Sequence, residues 1–142
     1  MTTGKPVRVG KVMQRNFDLV EGIATVADAL KNMRYPDTGV MIVNKRHVDD
    51  EYGIVMLSDI AKKVLAKDRS PARINVYEIM SKPVISVSAQ MDIRYCARLF
   101  DRFGLSLAAV IEDGGVTGIV SYNDMVIEGM LGEWLQDTTL KR

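Results

Sequence analysis

Gly53-Ile54-Val55-Met56-Leu57-Ser58-Asp59-Ile60 returns 65 residues later as Gly118-Ile119-Val120-Ser121-Tyr122-Asn123-Asp124-Met125. Four of the eight positions are identical, and the last is apolar in both copies. The spacing is nearly half of the 142-residue chain. A repeat of this kind decides architecture before any local feature does, because a copy this small cannot bury its own apolar face. It predicts two similar units and two related sites.

Reading outward, the elements on either side also recur. Val26, Ala29, Leu30 and Met33 follow the i, i+3, i+4, i+7 spacing of one helix face, so the pattern predicts a helix over 25–34. Thr25 is its expected cap, with Asp28 three residues on. Val40 to Val43 is a short apolar strand, 44–51 a polar hairpin loop, and Gly53 to Met56 the return strand. A second helix over 58–67 turns Ile60, Ala61, Val64 and Leu65 inward. After a polar stretch read as a linker, the order restarts. A helical turn spans 76–80, an extended segment 84–87, and a helix 92–103 with Ile93, Cys96, Ala97, Phe100 and Phe103 inward. Strands at 107–111 and 117–121 flank Asp113-Gly114-Gly115, a tight-turn sequence. A last helix covers 123–135. Met13 aligns with Met80, Ala29 with Cys96 and Met33 with Phe100. The copies differ mainly in the hairpin, which is longer in the first. The expected fold class is α+β, two βαββα repeats packed about a pseudo-two-fold axis. The repeats are expected at 7–68 and 76–135, with a linker at 69–75 and flexible tails at 1–6 and 136–142.

Composition narrows the class. The chain is 47% hydrophobic and 26% charged, ordinary for a soluble globular domain. A net charge of +1, from 19 basic and 18 acidic residues, gives no footprint for nucleic acid. One cysteine excludes an intramolecular disulfide and fits a reducing compartment. The first twelve residues lack a signal-peptide apolar run, and no stretch approaches the roughly 18 apolar residues of a membrane span. A soluble cytoplasmic protein is expected, without membrane or nucleic-acid partners.

The doubled Gly-Ile-Val-x-x-x-Asp element, each copy behind an apolar strand (Met41-Ile42-Val43-Asn44 and Ala109-Val110-Ile111-Glu112), resembles a tandem pair of cystathionine-beta-synthase (CBS) domains, a Bateman module. Val12-Met13 and Ile79-Met80, each ahead of an extended segment and a helix, fit the same pattern. The resemblance covers about Val7 to Leu131. It implies a regulatory module that binds an adenosyl ligand (AMP, ADP, ATP, NAD(H) or S-adenosylmethionine) in clefts between repeats and reports to an enzyme or transporter. It also implies a homodimer, and no cofactor is required.

The family's nucleotide motif, Gly-x-x-(Ser or Thr)-x-x-Asp, implies a role for each residue. The carboxylate takes the ribose hydroxyls, the hydroxyl donates to a phosphate, and amides at the helix start attract the anion. The second copy keeps Gly118, Ile119, Ser121 and Asp124. The first keeps Gly53 and Asp59 but has Met56 at the hydroxyl position, and methionine cannot donate. Binding is therefore expected to be unequal, stronger at Asp124. Ser58 and Asn123, beside the two Asp residues, are further expected contacts. By the resemblance, Asn16, Phe17 and the Asp37-Thr38-Gly39 stretch wall the Asp124 cleft. Pro83, Val84, Leu105 and Ser106 wall the other. Where relatives place a phosphate-clamping His or Arg, this chain has Ser106 and Leu107; Arg15 and Lys82 are the nearest substitutes.

Each residue also has a plainer reading. Ser121-x-x-Asp124 has the spacing of a helix cap, and Asp59 suits a helix N-terminus. Gly53 and Gly118 would ease a tight hairpin. His47 reads as a solvated loop residue, Cys96 as a buried thiol, and Trp134 as core or interface. An interaction scaffold that has lost ligand binding is the alternative function. An enzyme is disfavoured, since the single His and single Cys lie on separate elements and give no nucleophile–base pair.

Overall fold

The computed structural model describes residues 5–135. In chain order the elements are α1 (Val9–Val12), β1 (Asp18–Val20), α2 (Val26–Lys31), β2 (Val40–Val43), β3 (Gly53–Met56), α3 (Leu57–Ile60), β4 (Ser86–Val87), α4 (Ile93–Phe103), β5 (Leu107–Glu112) and β6 (Gly115–Ser121). A helix of π winding, Asp124–Trp134, closes the series, and a shorter π segment, Ala61–Leu65, prolongs α3. The wide winding shows in i→i+5 bonds, Ala66 N–H to Ala61 O at 2.8 Å and Leu135 N–H to Met130 O at 2.9 Å.

The fold is α+β, with two three-stranded sheets ordered β1-β2-β3 and β4-β5-β6. In each, the first pair is parallel and the second antiparallel. The strand–helix–strand–strand–helix order is present twice. The chain divides into two compact units, Asn16–Val84 in one, and Met1–Arg15 with Ile85–Arg142 in the other.

This division is offset from the expected repeat boundaries of 7–68 and 76–135. Residues 7–15 fold with the second sheet, and 69–84 with the first. Backbone pairing and burial explain both. Val9 and Gly10 donate to Met91 and Ala89 carbonyls, each at 2.8 Å. Val7, Val9 and Val12 join the core built on Cys96, Phe100 and Val110. The 69–75 stretch is no free linker. Ile74 is buried with Val26 and Val55, its carbonyl accepts from Val26 N–H at 2.8 Å, and Asn75 Nδ2 donates to Ile23 O at 2.8 Å. Its polar composition hides one apolar anchor. Of the expected tails, 1–4 and 136–142 lie outside the described residues.

Local signals explain most element ends. Thr25 Oγ1 accepts from Asp28 N–H at 3.1 Å, capping α2. Asp113 (φ 52°) and Gly114 (φ 80°) form the tight β5–β6 turn. Three residues expected inward are instead exposed: Ala61, Leu65 and Phe103. Across α3 and the π segment that prolongs it, only Val64 is buried. Phe103 is the last residue of α4, beyond the Ile93, Cys96 and Phe100 stripe. Among the described residues no helix is long and apolar enough to cross a membrane.

Asp92 caps α4, with Oδ1 accepting from Arg94 N–H at 2.9 Å. Its Oδ2 meets Arg94 Nη2 at 2.6 Å. The Arg94 side chain holds this carboxyl below its ordinary value, against an opposing effect of burial. A depressed carboxylate stabilises the fold above its unfolded value, near ~3.9, and loses that contribution as pH falls through the folded value. Asp92→Asn keeps a capping side chain but not the charge. It should therefore destabilise at pH 7, with the gap to wild type closing below about pH 4. Denaturation curves across pH check this; a gap that does not change with pH would rule out the ion pair as its cause.

Candidate ligand site

The two copies of the repeat motif lie where β6 meets the terminal helix and where β3 meets α3. At the first junction Asp124 is buried, 7% exposed. Its Oδ2 accepts from Ser121 N–H at 2.9 Å and from Ser121 Oγ at 3.0 Å. Asp124 N–H returns a bond to Ser121 Oγ at 3.2 Å. This is a reciprocal helix cap. An ionised carboxylate only accepts, so the single Ser121 hydroxyl hydrogen points at Asp124. Donation to a phosphate would require it to turn away.

A residue that sequence reasoning missed completes the arrangement. Gln14 Nε2 donates to Asp124 Oδ1 at 3.0 Å. The available signal was its place directly after Met13, already aligned with Met80. Gln14 and Ile119 also exchange backbone bonds, N–H to O at 2.8 Å and 2.9 Å in return. Three side-chain or amide donors thus fix the carboxylate, leaving part of its roughly four lone-pair positions for a ligand. Ile119 is buried behind it, and Asn123 is exposed at the helix start.

Gly118 has a packing role different from the expected hairpin one. It is absent from the glycines with positive φ. A Cβ there would lie 2.8 Å from Gln14 O and 2.8 Å from Met13 Sδ. Gly53 is its counterpart, where a Cβ would meet Met80 Sδ at 2.9 Å and Ser81 O at 3.2 Å. Both glycines admit a neighbouring chain segment against the sheet.

The Asp59 junction, in the 16–84 unit, is poorer. Asp59 Oδ2 accepts from Met56 N–H at 2.9 Å. Met56 supplies no hydroxyl. Ser81, which pairs with Ile54 through backbone bonds of 2.9 Å, stands where the other unit has Gln14. Its side chain makes no bond to Asp59 among the described residues. The Thr38-Gly39 turn adjoins this junction, because Gly39 O accepts from Leu57 N–H at 2.9 Å. Thr38 Oγ1 donates to Tyr35 O at 2.8 Å, and Gly39 takes φ 71°. Ser58 is exposed beside Asp59. Asn16 and Phe17 lead into β1 of the same unit, exposed and half-buried respectively. Val84 is placed differently: its N–H donates to Tyr52 O at 2.8 Å, ahead of β3, whereas Asp59 follows the end of that strand.

The substitute cations are engaged elsewhere. Lys82 Nζ sits 2.6 Å from Asp50 Oδ1, and Arg15 Nη2 donates to Gly10 O at 3.4 Å. Cys96 is fully buried, and burial pushes its thiol up to about 11, which suits packing and not nucleophilic chemistry. Trp134 packs on the same core, with Nε1 donating to Lys5 O at 2.7 Å.

Comparison with known proteins agrees with this architecture. The CBS domain family model matches residues 76–129, which contain the copy that keeps its serine. The hexameric CBS-CP12 protein from bloom-forming cyanobacteria is 36% identical, covers 93% of this chain and 76% of that one, and superposes with a TM-score of 0.83. An uncharacterised protein of Methanopyrus kandleri is 29% identical over 86% of this chain. The alignment spans 62% of that relative's length, less than two thirds. A CBS domain pair in complex with methylthioadenosine and S-adenosyl-L-methionine is 21% identical over 85% of this chain and 98% of that one. Its TM-score of 0.71 bears on the fold alone. The chain belongs to the CBS-domain family, as a tandem pair.

The role assigned to Gly118 is open to a direct check. Gly118→Ala should cost about 1–3 kcal/mol, the range for overpacking. Gly115→Ala, in the same strand with its nearest contact at 3.9 Å, should stay within about 0.5 kcal/mol. Urea denaturation separates them; equal effects would remove the close approach as the reason for Gly118.

Proposed function

We propose that this CBS pair is a regulatory module that binds an adenosyl ligand at the Asp124 junction and passes the binding event to a separate protein. The observation that carries this reading is the fixed Asp124 carboxylate, oriented by Gln14 and Ser121 with about one lone-pair position left open. A ribose hydroxyl is a donor that suits the remaining position. The ligand class is AMP, ADP, ATP, NAD(H) or S-adenosylmethionine, and no cofactor is needed. The contacts proposed beside Asp124 are Gly118, Ile119, Ser121 and Asn123. Asp59 and Ser58 belong to the weaker site. For the ligand to act as a signal, it must favour one arrangement of the protein over another. Exposed apolar residues on the terminal helix, among them Val126, Ile127 and Met130, support a homodimer as part of that response.

One observation favours the alternative of a ligand-free interaction scaffold. The Ser121–Asp124 bonds are those that a helix cap alone requires, and the Ser121 hydrogen is already used.

The melting temperature with millimolar AMP, ATP, NADH or S-adenosylmethionine separates the two. A ligand of the native state at 100 times its Kd adds about 2.7 kcal/mol. At least one compound should raise the midpoint for wild type and Asp59→Asn, and not for Asp124→Asn. No shift with any of the four would favour the scaffold.

A further inference from the structure

The 16–84 unit holds a cavity at the end of β3 away from Asp59. The hairpin between β2 and β3 runs over residues 44–52, against a two-residue turn between β5 and β6. This longer hairpin is tied down. Asp50 holds Lys82 at 2.6 Å and accepts from Arg46 N–H at 2.9 Å. Asn44 Nδ2 donates to Glu21 Oε2 at 3.0 Å, and the Lys45 ammonium lies 5.1 Å from the Tyr52 ring centre. At its base opens a cleft of about 520 Å³, within the range of ~300–1,000 Å³ typical of small-molecule sites.

The lining has a clear division. Ile23, Val43, Tyr77 and Met80 give an apolar floor with one aromatic ring. Gly22 borders the floor between Tyr77 and Val43. Arg46, Glu51 and Lys82 supply the charges. The Lys82 charge is neutralised by Asp50. Among the described residues, neither the Arg46 guanidinium nor the Glu51 carboxylate has an ion-pair or side-chain hydrogen-bond partner. The cleft therefore presents one unspent cation and one unspent anion above an apolar floor. A polyphosphate would meet one free cation and a repelling carboxylate. A ligand with one carboxylate, one ammonium and an apolar body satisfies both groups.

We propose that this cleft binds a free α-amino acid with an apolar or aromatic side chain. Arg46 takes the carboxylate, Glu51 the ammonium, and Tyr77 with Met80 the side chain. The site is separate from both Asp junctions and does not depend on adenosyl binding.

Calorimetric titration with L-phenylalanine and L-leucine tests it, with phenethylamine and N-acetyl-L-phenylalanine as analogues lacking one charge each. At least one of the two amino acids should bind saturably at one per chain. Arg46→Ala and Glu51→Gln should each weaken it roughly ten- to a hundredfold, the worth of a charged hydrogen bond. Both residues are exposed, so the variants should keep the wild-type circular dichroism. Asp124→Asn should leave binding unchanged. The proposal is overturned if neither amino acid binds, if an analogue binds as well as L-phenylalanine, or if the Arg46 and Glu51 variants bind normally.

Discussion

Two reciprocal backbone pairs, Gln14 with Ile119 and Ser81 with Ile54, hold each unit to a segment that the sequence repeat assigns to the other. Each pair brings its segment close to the return strand, against backbone at Gly118 and more loosely at Gly53. The apolar residues upstream then fall into place. Val9 and Val12 enter one core, Ile74 and Val76 the other. The motif glycines thus complete the sheets, whatever part they also take in binding. A Cβ at Gly118 would meet neighbouring backbone, which explains the glycine there, and the tight approach at Gly53 favours glycine in the same way.

Much of this architecture was legible from residue type and spacing. The apolar runs at 40–43, 53–56 and 107–111, the Thr25 cap and the Asp113-Gly114 turn all rest on local signals that the structure retains. The assignment of the leading segments to units was not legible. It depends on long-range backbone pairing, and backbone groups are alike in every residue. Leu65 and Phe103 are exposed although they share the apolar spacing, because helical spacing names a face without saying how far along it the core extends. Gln14 escaped notice because an exposed polar residue ahead of a strand carries no periodic signal. Its meaning comes only from Asp124, 110 residues away.

The duplicated scaffold carries unequal chemistry. Asp124 is held by Gln14 and by both the amide and the hydroxyl of Ser121, and is buried. Asp59 has the Met56 amide alone and is only partly buried. Two substitutions account for this, methionine at the hydroxyl position and serine at the glutamine position. A carboxylate fixed by several donors is preorganised, so less ordering opposes ligand binding. The first unit differs in another way, through a pinned hairpin and the cleft at its base. The divergence between the copies is concentrated in side chains and loop length, while sheet order is unchanged.

The claim that the Asp124 junction is better equipped for an adenosyl ligand than the Asp59 junction can be read without knowing which ligand it is. Native mass spectrometry of protein taken directly from cells counts the adducts on each chain. The account predicts one adenosyl adduct per chain, kept by Asp59→Asn and lost by Asp124→Asn. Two adducts of equal occupancy, an adduct lost equally in both variants, or none at all would contradict it.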